Sequence, residues 1–235
     1  MTASRTARER VRAELTREIV DIARRQLATD GAGGLSLRAV AREMGMVSSA
    51  IYRYFPSRDD LLTTLIIDGY NALGEAVERA DAATPPDRFP ARWAAVCHAV
   101  RDWALAHPHE YALLYGSPVP GYQAPQDTIG PRVRDLVVFG RILSDAQRAG
   151  ALTPAAAPAE VDAGLAAEAE ASFADLMPGV PPDAVLRGLA AWTSLYGWVS
   201  FEVFGQLKGT FQDNGPGFDH SIRVLGAMIG LTQPG

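Results

Sequence analysis

The residues best equipped for chemistry sit close together, between positions 48 and 58. Ser48, Ser49, Tyr52 and Tyr54 offer hydroxyls, and Arg53 and Arg58 offer guanidinium forks. Hydroxyls reach phosphates or base edges, and arginine pairs with phosphate or with guanine. This mixture suits recognition of a polyanion rather than the making or breaking of bonds.

Spacing says how these groups are held. Val47, Ile51 and Phe55 recur every four residues, so on a helix over 48–55 they form the buried face. Ser48, Ser49, Ala50, Tyr52, Arg53 and Tyr54 then lie largely off it. Upstream, Leu37, Val40, Ala41 and Met44 give a second short helix its buried stripe, with Ser36 as its cap. Gly45 allows a sharp turn between the two, and the pair reads as a helix-turn-helix. The major groove of DNA admits one helix, so a short exposed helix steadied by two others fits a reader of that groove.

The flanking periodicity is helical nearly throughout. Leu15, Ile19, Ile22, Ala23 and Leu27 mark a helix over 10–29, stopped by Asp30-Gly31-Ala32-Gly33-Gly34. Ser57 caps a long helix to about Ala82, with Asp59 and Asp60 in its first turn and Leu61, Leu62, Leu65, Ile66, Leu73 and Val77 on its buried side. Further helices are expected over about 88–106, 110–115, 131–149, 158–176, 183–207 and 218–231. Thr84-Pro85-Pro86 is a linker, residues 116–130 a loop, and the Ala/Pro-rich stretch 151–159 a short connection. No run alternates as a strand does. The expected class is all-α, with about nine helices: an N-terminal three-helix helix-turn-helix domain over 12–72, then a helical bundle over 73–235.

Charge divides along the same line. The chain has 235 residues and a net charge of −5. Residues 1–60 carry eleven arginines against eight acids, whereas the remainder is acidic overall. A basic head on an acidic body suggests that only the head meets a polyanion. Arg5, Arg8, Arg10 and Arg12, before and at the start of the first expected helix, could track phosphate or a minor groove, or form a solvated arm. The polar start shows no secretory signal, and no stretch is apolar enough to span a membrane, so the expected location is cytoplasmic.

Other chemistry is excluded by the residues at hand. Cys97 is the single cysteine, which rules out a disulfide framework and thiolate clusters. Cys97, His98, His107 and His109 match no familiar metal-ligand spacing. Gly31-Ala32-Gly33-Gly34 lacks the Lys-Ser/Thr ending of a phosphate loop. Glu168 and Glu170, two apart on a helix, point apart. No nucleophile, base and acid converge, so no enzyme, cofactor or metal site is expected.

The run Ser36–Leu62 resembles the DNA-binding domain of the tetracycline-repressor (TetR) family. It supplies Ala41 with Gly45 for the family's A-x-x-x-G turn, Ile51-Tyr52-Arg53-Tyr54-Phe55 for its LYxHF cluster, and Arg58 with Leu61 for the K-x-x-L start of the following helix. The resemblance covers about 12–72. It implies that Tyr52 contacts phosphate, that Arg58 stands for a phosphate-holding lysine, and that Arg38 reaches a base or phosphate. Ser48, Ser49 and Ala50 fall where the family varies its readers, Arg53 lies beside them, and Tyr54 stands where histidine is common. Trp192 to Glu202 resembles the W-x-x-x-H-G helix of one subgroup, with Tyr196 in the histidine's place.

The resemblance further implies a homodimer through the helices near 183–207 and 218–231, bound to a near-palindromic double-stranded DNA operator. Gly188, Gly197 and Gly205 suggest close helix–helix approach there. It also implies a repressor released by a small effector held among the central helices. The alternative is an activator, or a regulator with no ligand, of the same fold. An apolar or aromatic effector suits the candidate lining Trp93, Cys97, Val100, Trp103, Tyr111, Tyr115, Tyr122, Phe139, Phe173, Trp192 and Tyr196. The 116–130 loop could gate that pocket.

Overall fold

The computed structural model describes residues 2–153 and 160–232, with side chains from residue 7 onward. Most of the 151–159 connection and the Arg5 side chain therefore lie outside the described residues. Ten α-helices and two short 3-10 turns, Ile51–Arg53 and Gln126–Thr128, make up the fold. The helices are α1 (Thr2–Gly34), α2 (Leu37–Glu43), α3 (Arg58–Ala82), α4 (Phe89–Ala106), α5 (Pro108–Tyr115), α6 (Ile129–Arg132), α7 (Arg134–Arg148), α8 (Ala163–Phe173), α9 (Pro182–Val203) and α10 (Gly215–Ile229). Among the described residues no helix is long and apolar enough to cross a membrane.

The chain divides into two compact units. One comprises residues 1–71 and 107–132, the other 72–106 and 133–235. The chain passes from the first to the second within α3.

In the first unit the apolar stripes meet as their spacing requires. Ile19, Ile22 and Ala23 of α1, Leu37, Val40 and Ala41 of α2, and Leu61, Leu62 and Leu65 of α3 share one core with Ile51 and Phe55. Each large side chain fully buried there contributes about 1.5–3 kcal/mol. Ser36 caps α2 by accepting from the Ala39 amide, and the Asp60 amide donates to Ser57 Oγ (3.1 Å) at the start of α3. Segment 107–132 joins this unit rather than the other. Arg24 of α1 bridges Asp68 (2.9 Å) and Glu110 (3.1 Å), and Tyr122 shares a hydrogen bond of 2.9 Å with Thr63. Burial raises the Asp68 carboxyl above its ordinary pKa, against the opposing pull of Arg24.

Both ends of α1 differ from the sequence expectation. Helix α1 starts at Thr2, not near 10, and places Arg8, Arg10 and Arg12 on a helix rather than in a loose arm. No proline or glycine interrupts residues 2–9, and residues 7–14 are exposed, so they leave no apolar stripe for periodicity to register. The glycine stretch breaks α1 as expected at Gly31 (φ 68°), though helical geometry resumes to Gly34.

In the second unit Trp93, Val96, Cys97 and Val100 of α4 are buried, as are Val138, Phe139, Ile142 and Leu143 of α7, Leu195 and Val199 of α9, and Phe218 and Ile222 of α10. Arg92, Arg101 and Arg134 are among the arginines held by carboxylates within it. Arg92 grips Asp81 with two bonds (2.7 and 3.1 Å) and reaches Asp145 (2.9 Å) and the Pro86 carbonyl (3.1 Å). Arg101 makes a two-pronged pair with Glu202 (2.8 and 2.6 Å), which holds the Glu202 carboxyl below its usual pKa. Arg134 pairs likewise with Glu78 (2.9 and 2.7 Å).

The three glycines of 188–205 do not share one role. At Gly188 an added Cβ would meet Leu143 Cδ1 at 2.8 Å, a true close approach. At Gly197 nothing lies within 4 Å, and Gly205 (φ 80°) follows the end of α9 in a left-handed turn.

Candidate nucleic-acid interface

The expected second helix of the motif is shorter than its spacing suggested. Residues 47–55 wind mainly through i→i+3 bonds: Ala50 N to Val47 O (2.8 Å), Arg53 N to Ala50 O (3.2 Å) and Tyr54 N to Ile51 O (2.9 Å). Only Ile51–Arg53 form a regular turn, of 3-10 type. The stretch is confined between Gly45 (φ 68°) and Pro56, and opens on β-branched Val47 and two serines. These are poor helix formers, so the stretch opens without a first α-helical turn to propagate.

Ile51 and Phe55 are buried as the spacing requires, and they anchor the turn. Val47 is not: it is 73% exposed, because the path out of Gly45 turns its side chain to solvent. The anchored turn leaves Ser48, Ser49, Tyr52 and Arg53 exposed, with Ala50 and Tyr54 half-buried. Arg38 on α2 is exposed too. Hydroxyls and a guanidinium are thus presented on one short ordered segment.

Arg58 is engaged within its own chain. Its Nε donates to Leu35 O (3.1 Å), and its Nη2 to Ala32 O (2.6 Å) and Gly33 O (3.5 Å). The side chain therefore satisfies carbonyls at the exit of α1, where the helix leaves acceptors without partners. In this arrangement it fastens α3 to α1 through Nε and Nη2, while the side chain stays 32% exposed.

The eleven aromatic and apolar candidates for an effector pocket are divided. Tyr111, Tyr115 and Tyr122 belong to the first unit; Trp93, Cys97, Val100, Trp103, Phe139, Phe173, Trp192 and Tyr196 belong to the second. Tyr111 is fully buried with Tyr115 tilted against it (4.9 Å), and Tyr122 packs on the helix-turn-helix core. In the second unit Trp93 meets Phe139 edge-on (4.5 Å) and donates to Ile222 O (2.7 Å). Trp192 Nε1 (3.1 Å) and Tyr196 OH (2.6 Å) both donate to the buried Asp135 carboxylate. Burial pushes the Cys97 thiol well above its ordinary pKa, so it behaves as a small apolar group.

A cleft of about 520 Å³ opens between α4 and α10, lined by Trp93, Ala94, Ile222, Gly226 and Leu231, with His98, Asp219 and Arg223 at its polar side. Of the expected set it takes in Trp93 alone. Asp219, Arg223 and Asp135 are not singled out by sequence, and His98 is weighed there only as a metal ligand. They have no motif, and lone polar residues on amphipathic helices ordinarily face water.

Comparison with known proteins adds an independent line. Residues 19–65 match the family model described as bacterial regulatory proteins, tetR family, and residues 93–225 match that of the tetracyclin repressor-like C-terminal domain. The chain is 41% identical over 231 residues to the HTH-type transcriptional regulator Rv1816 of Mycobacterium tuberculosis, covering 96% of this chain and 94% of that one. Among solved structures it is similar to the regulatory protein SCO4313, with 35% identity, a TM-score of 0.74, and coverage of 92% and 97% of the two chains. It is also similar to a Rhodococcus sp. RHA1 protein of unknown function, with 28% identity, a TM-score of 0.68, and coverage of 93% and 96%.

Proposed function

The chain belongs to the tetracycline-repressor family of DNA-binding transcriptional regulators, and on that premise we propose that it is a repressor which a small effector releases from a near-palindromic operator. The observation that carries the reading is the segment 48–53. It presents Ser48, Ser49, Tyr52 and Arg53 to solvent while Ile51 and Phe55 fasten it to the core. On this reading Tyr52 and Arg38 bind phosphate, and Arg53, Ser48, Ser49 and Ala50 approach base edges. Tyr54 stands at their edge, and Arg58 acts from beneath by fixing α3 to α1.

The domain roles follow. Residues 12–72 bind DNA, and 73–235 bind effector and pair two copies, with segment 107–132 grouped beside the DNA-binding core. The cleft beside Trp93 has a volume within the usual range for small-molecule sites, and its apolar wall suits an apolar or aromatic effector. Such a ligand acts only through its different affinity for the bound and released states.

The direct test is binding to DNA from around the protein's own gene, by fluorescence polarisation at two salt concentrations, with a scrambled duplex as control. Salt-sensitive binding about a thousandfold tighter than the control is expected. Equal affinity for both duplexes, repeated with a pool of genomic fragments, would overturn the reading.

Two-fold pairing is supported by α9 and α10. Gly197 is exposed, and Phe201 (56%), Val224 (53%) and Met228 are large apolar side chains open to solvent. A two-fold dimer suits a near-palindromic operator, whose half-sites lie about 34–36 Å apart, one turn of DNA. Gly197→Arg is expected to give a monomer by analytical ultracentrifugation with unchanged helicity by circular dichroism, because the position is exposed and no described atom lies within 4 Å of an added Cβ. A variant that remains dimeric would move the interface elsewhere.

A further inference from the structure

The recognition turn is too short to hold its own shape. Its i→i+3 bonds have poorer geometry than an α-helical ladder, and it ends against Pro56. The carbonyl of Arg53 would take its next i→i+3 donor from position 56, and proline has no N–H. That carbonyl is nevertheless satisfied. Arg12, forty-one residues earlier on α1, donates to it from Nη2 at 3.1 Å. The same guanidinium lies over the Tyr54 ring, 5.8 Å from its centre. Tyr54 in turn packs against the core shared by α1, α2 and α3.

We propose that Arg12 is a positioning residue for sequence recognition: it replaces the donor that Pro56 cannot supply and clamps the turn carrying Tyr52 and Arg53 against α1. Two independent contacts, one to backbone and one to an aromatic face, fix both the carbonyl and the ring at the end of the turn. A charged donor makes the stronger kind of hydrogen bond, and a planar guanidinium can satisfy an in-plane acceptor while its face covers a ring. Without the clamp the turn would sample several orientations. Contacts to base edges need one geometry, whereas contacts to phosphate tolerate many. Discrimination between sequences is therefore the property Arg12 protects. Arg8 lines the same cleft as Arg12, Arg53 and Tyr54, and serves as the comparison for a basic residue facing DNA.

The inference rests on the DNA-binding reading. The test uses the full-length protein, a duplex it selects from a randomised pool, and a scrambled duplex of equal composition. Failure of the wild-type protein to select any sequence would defeat the underlying reading. Given selection, Arg12→Met is expected to lower affinity for the selected duplex about tenfold or more, while affinity for the scrambled duplex changes little and the salt dependence on it is retained. Arg12→Lys keeps the charge but not the fork, and should likewise lose discrimination. Arg12 is exposed on a helix surface, so both variants should keep the parent's thermal melt and helicity. An equal loss on both duplexes, with the salt slope reduced by about one contact, would assign Arg12 to phosphate instead and overturn the proposal. Unchanged discrimination, or full restoration by lysine, would overturn it as well.

Discussion

Arg92→Ala is expected to destabilise the second unit by about 3–5 kcal/mol, the usual loss when one member of a buried charge pair is removed. Arg92 and Asp81 are each almost wholly buried, at 4% and 6% side-chain exposure, and they face one another through two bonds. Those bonds to Asp81 hold the Arg92 guanidinium more firmly protonated than usual. Removing it strands the Asp81 carboxylate in a medium that solvates charge poorly. Asp145 is affected less. Burial alone would raise its carboxyl, but hydrogen bonds from Arg92 and Arg148 outweigh that and hold it below its ordinary pKa; Arg148 would remain. The pair closes a loop from the end of α3 to α4 and on to α7, so its loss loosens three helices at once. Denaturant unfolding monitored by tryptophan fluorescence reads the effect, since Trp93 follows Arg92 directly. A second variant separates the causes. Arg92→Met with Asp81→Leu removes both charges and should recover most of the stability, because the large penalty comes from the orphaned partner rather than from the lost attraction. A single variant with an unshifted midpoint would mean that solvent reaches Asp81 readily.

Arg53→Glu is expected to weaken operator binding by about a hundredfold or more while leaving the fold intact. Each arginine contact to guanine or phosphate contributes about 1–3 kcal/mol, and a two-fold dimer loses two of them. The new carboxylate also faces the DNA with the wrong sign, and lies in the cleft with Arg8 and Arg12, whose charges it would neutralise. Stability should hardly change, since Arg53 is exposed and only its backbone carbonyl takes part in the contact from Arg12. Polarisation binding at two salt concentrations, paired with a thermal melt, checks both halves. Retained affinity with an intact melt would remove Arg53 from the interface.

Much of the fold was legible in the sequence because burial leaves a local record. Leu37, Val40 and Ala41 fall three and four apart, and Leu61, Leu62, Leu65 and Ile66 do likewise; all are buried. Ser36 and Ser57 announce their helices because a cap bonds to an amide three residues away, well inside a local window. The same reasoning misplaced the start of α1, whose residues 7–14 are exposed and form no apolar stripe, and overextended the recognition segment, where Val47 matched the apolar spacing without being buried.

The sequence by itself determined the all-helical class, the helix-turn-helix and the polar residues that segment 48–53 exposes. Each depends on residue type and on spacing along a few turns. Tertiary structure alone decided which polar groups meet. It gave Arg58 to the carbonyls of α1, Arg12 to the carbonyl of Arg53, Tyr122 to Thr63, and Asp135 to Trp192 and Tyr196. It also placed residues 107–132 with the first unit. Apolar burial is non-directional and tolerates many neighbours, so its pattern can be read one helix at a time. A hydrogen bond or ion pair needs two particular atoms within about 3 Å at a suitable angle. For partners twenty to sixty residues apart, that geometry exists only once the helices have packed.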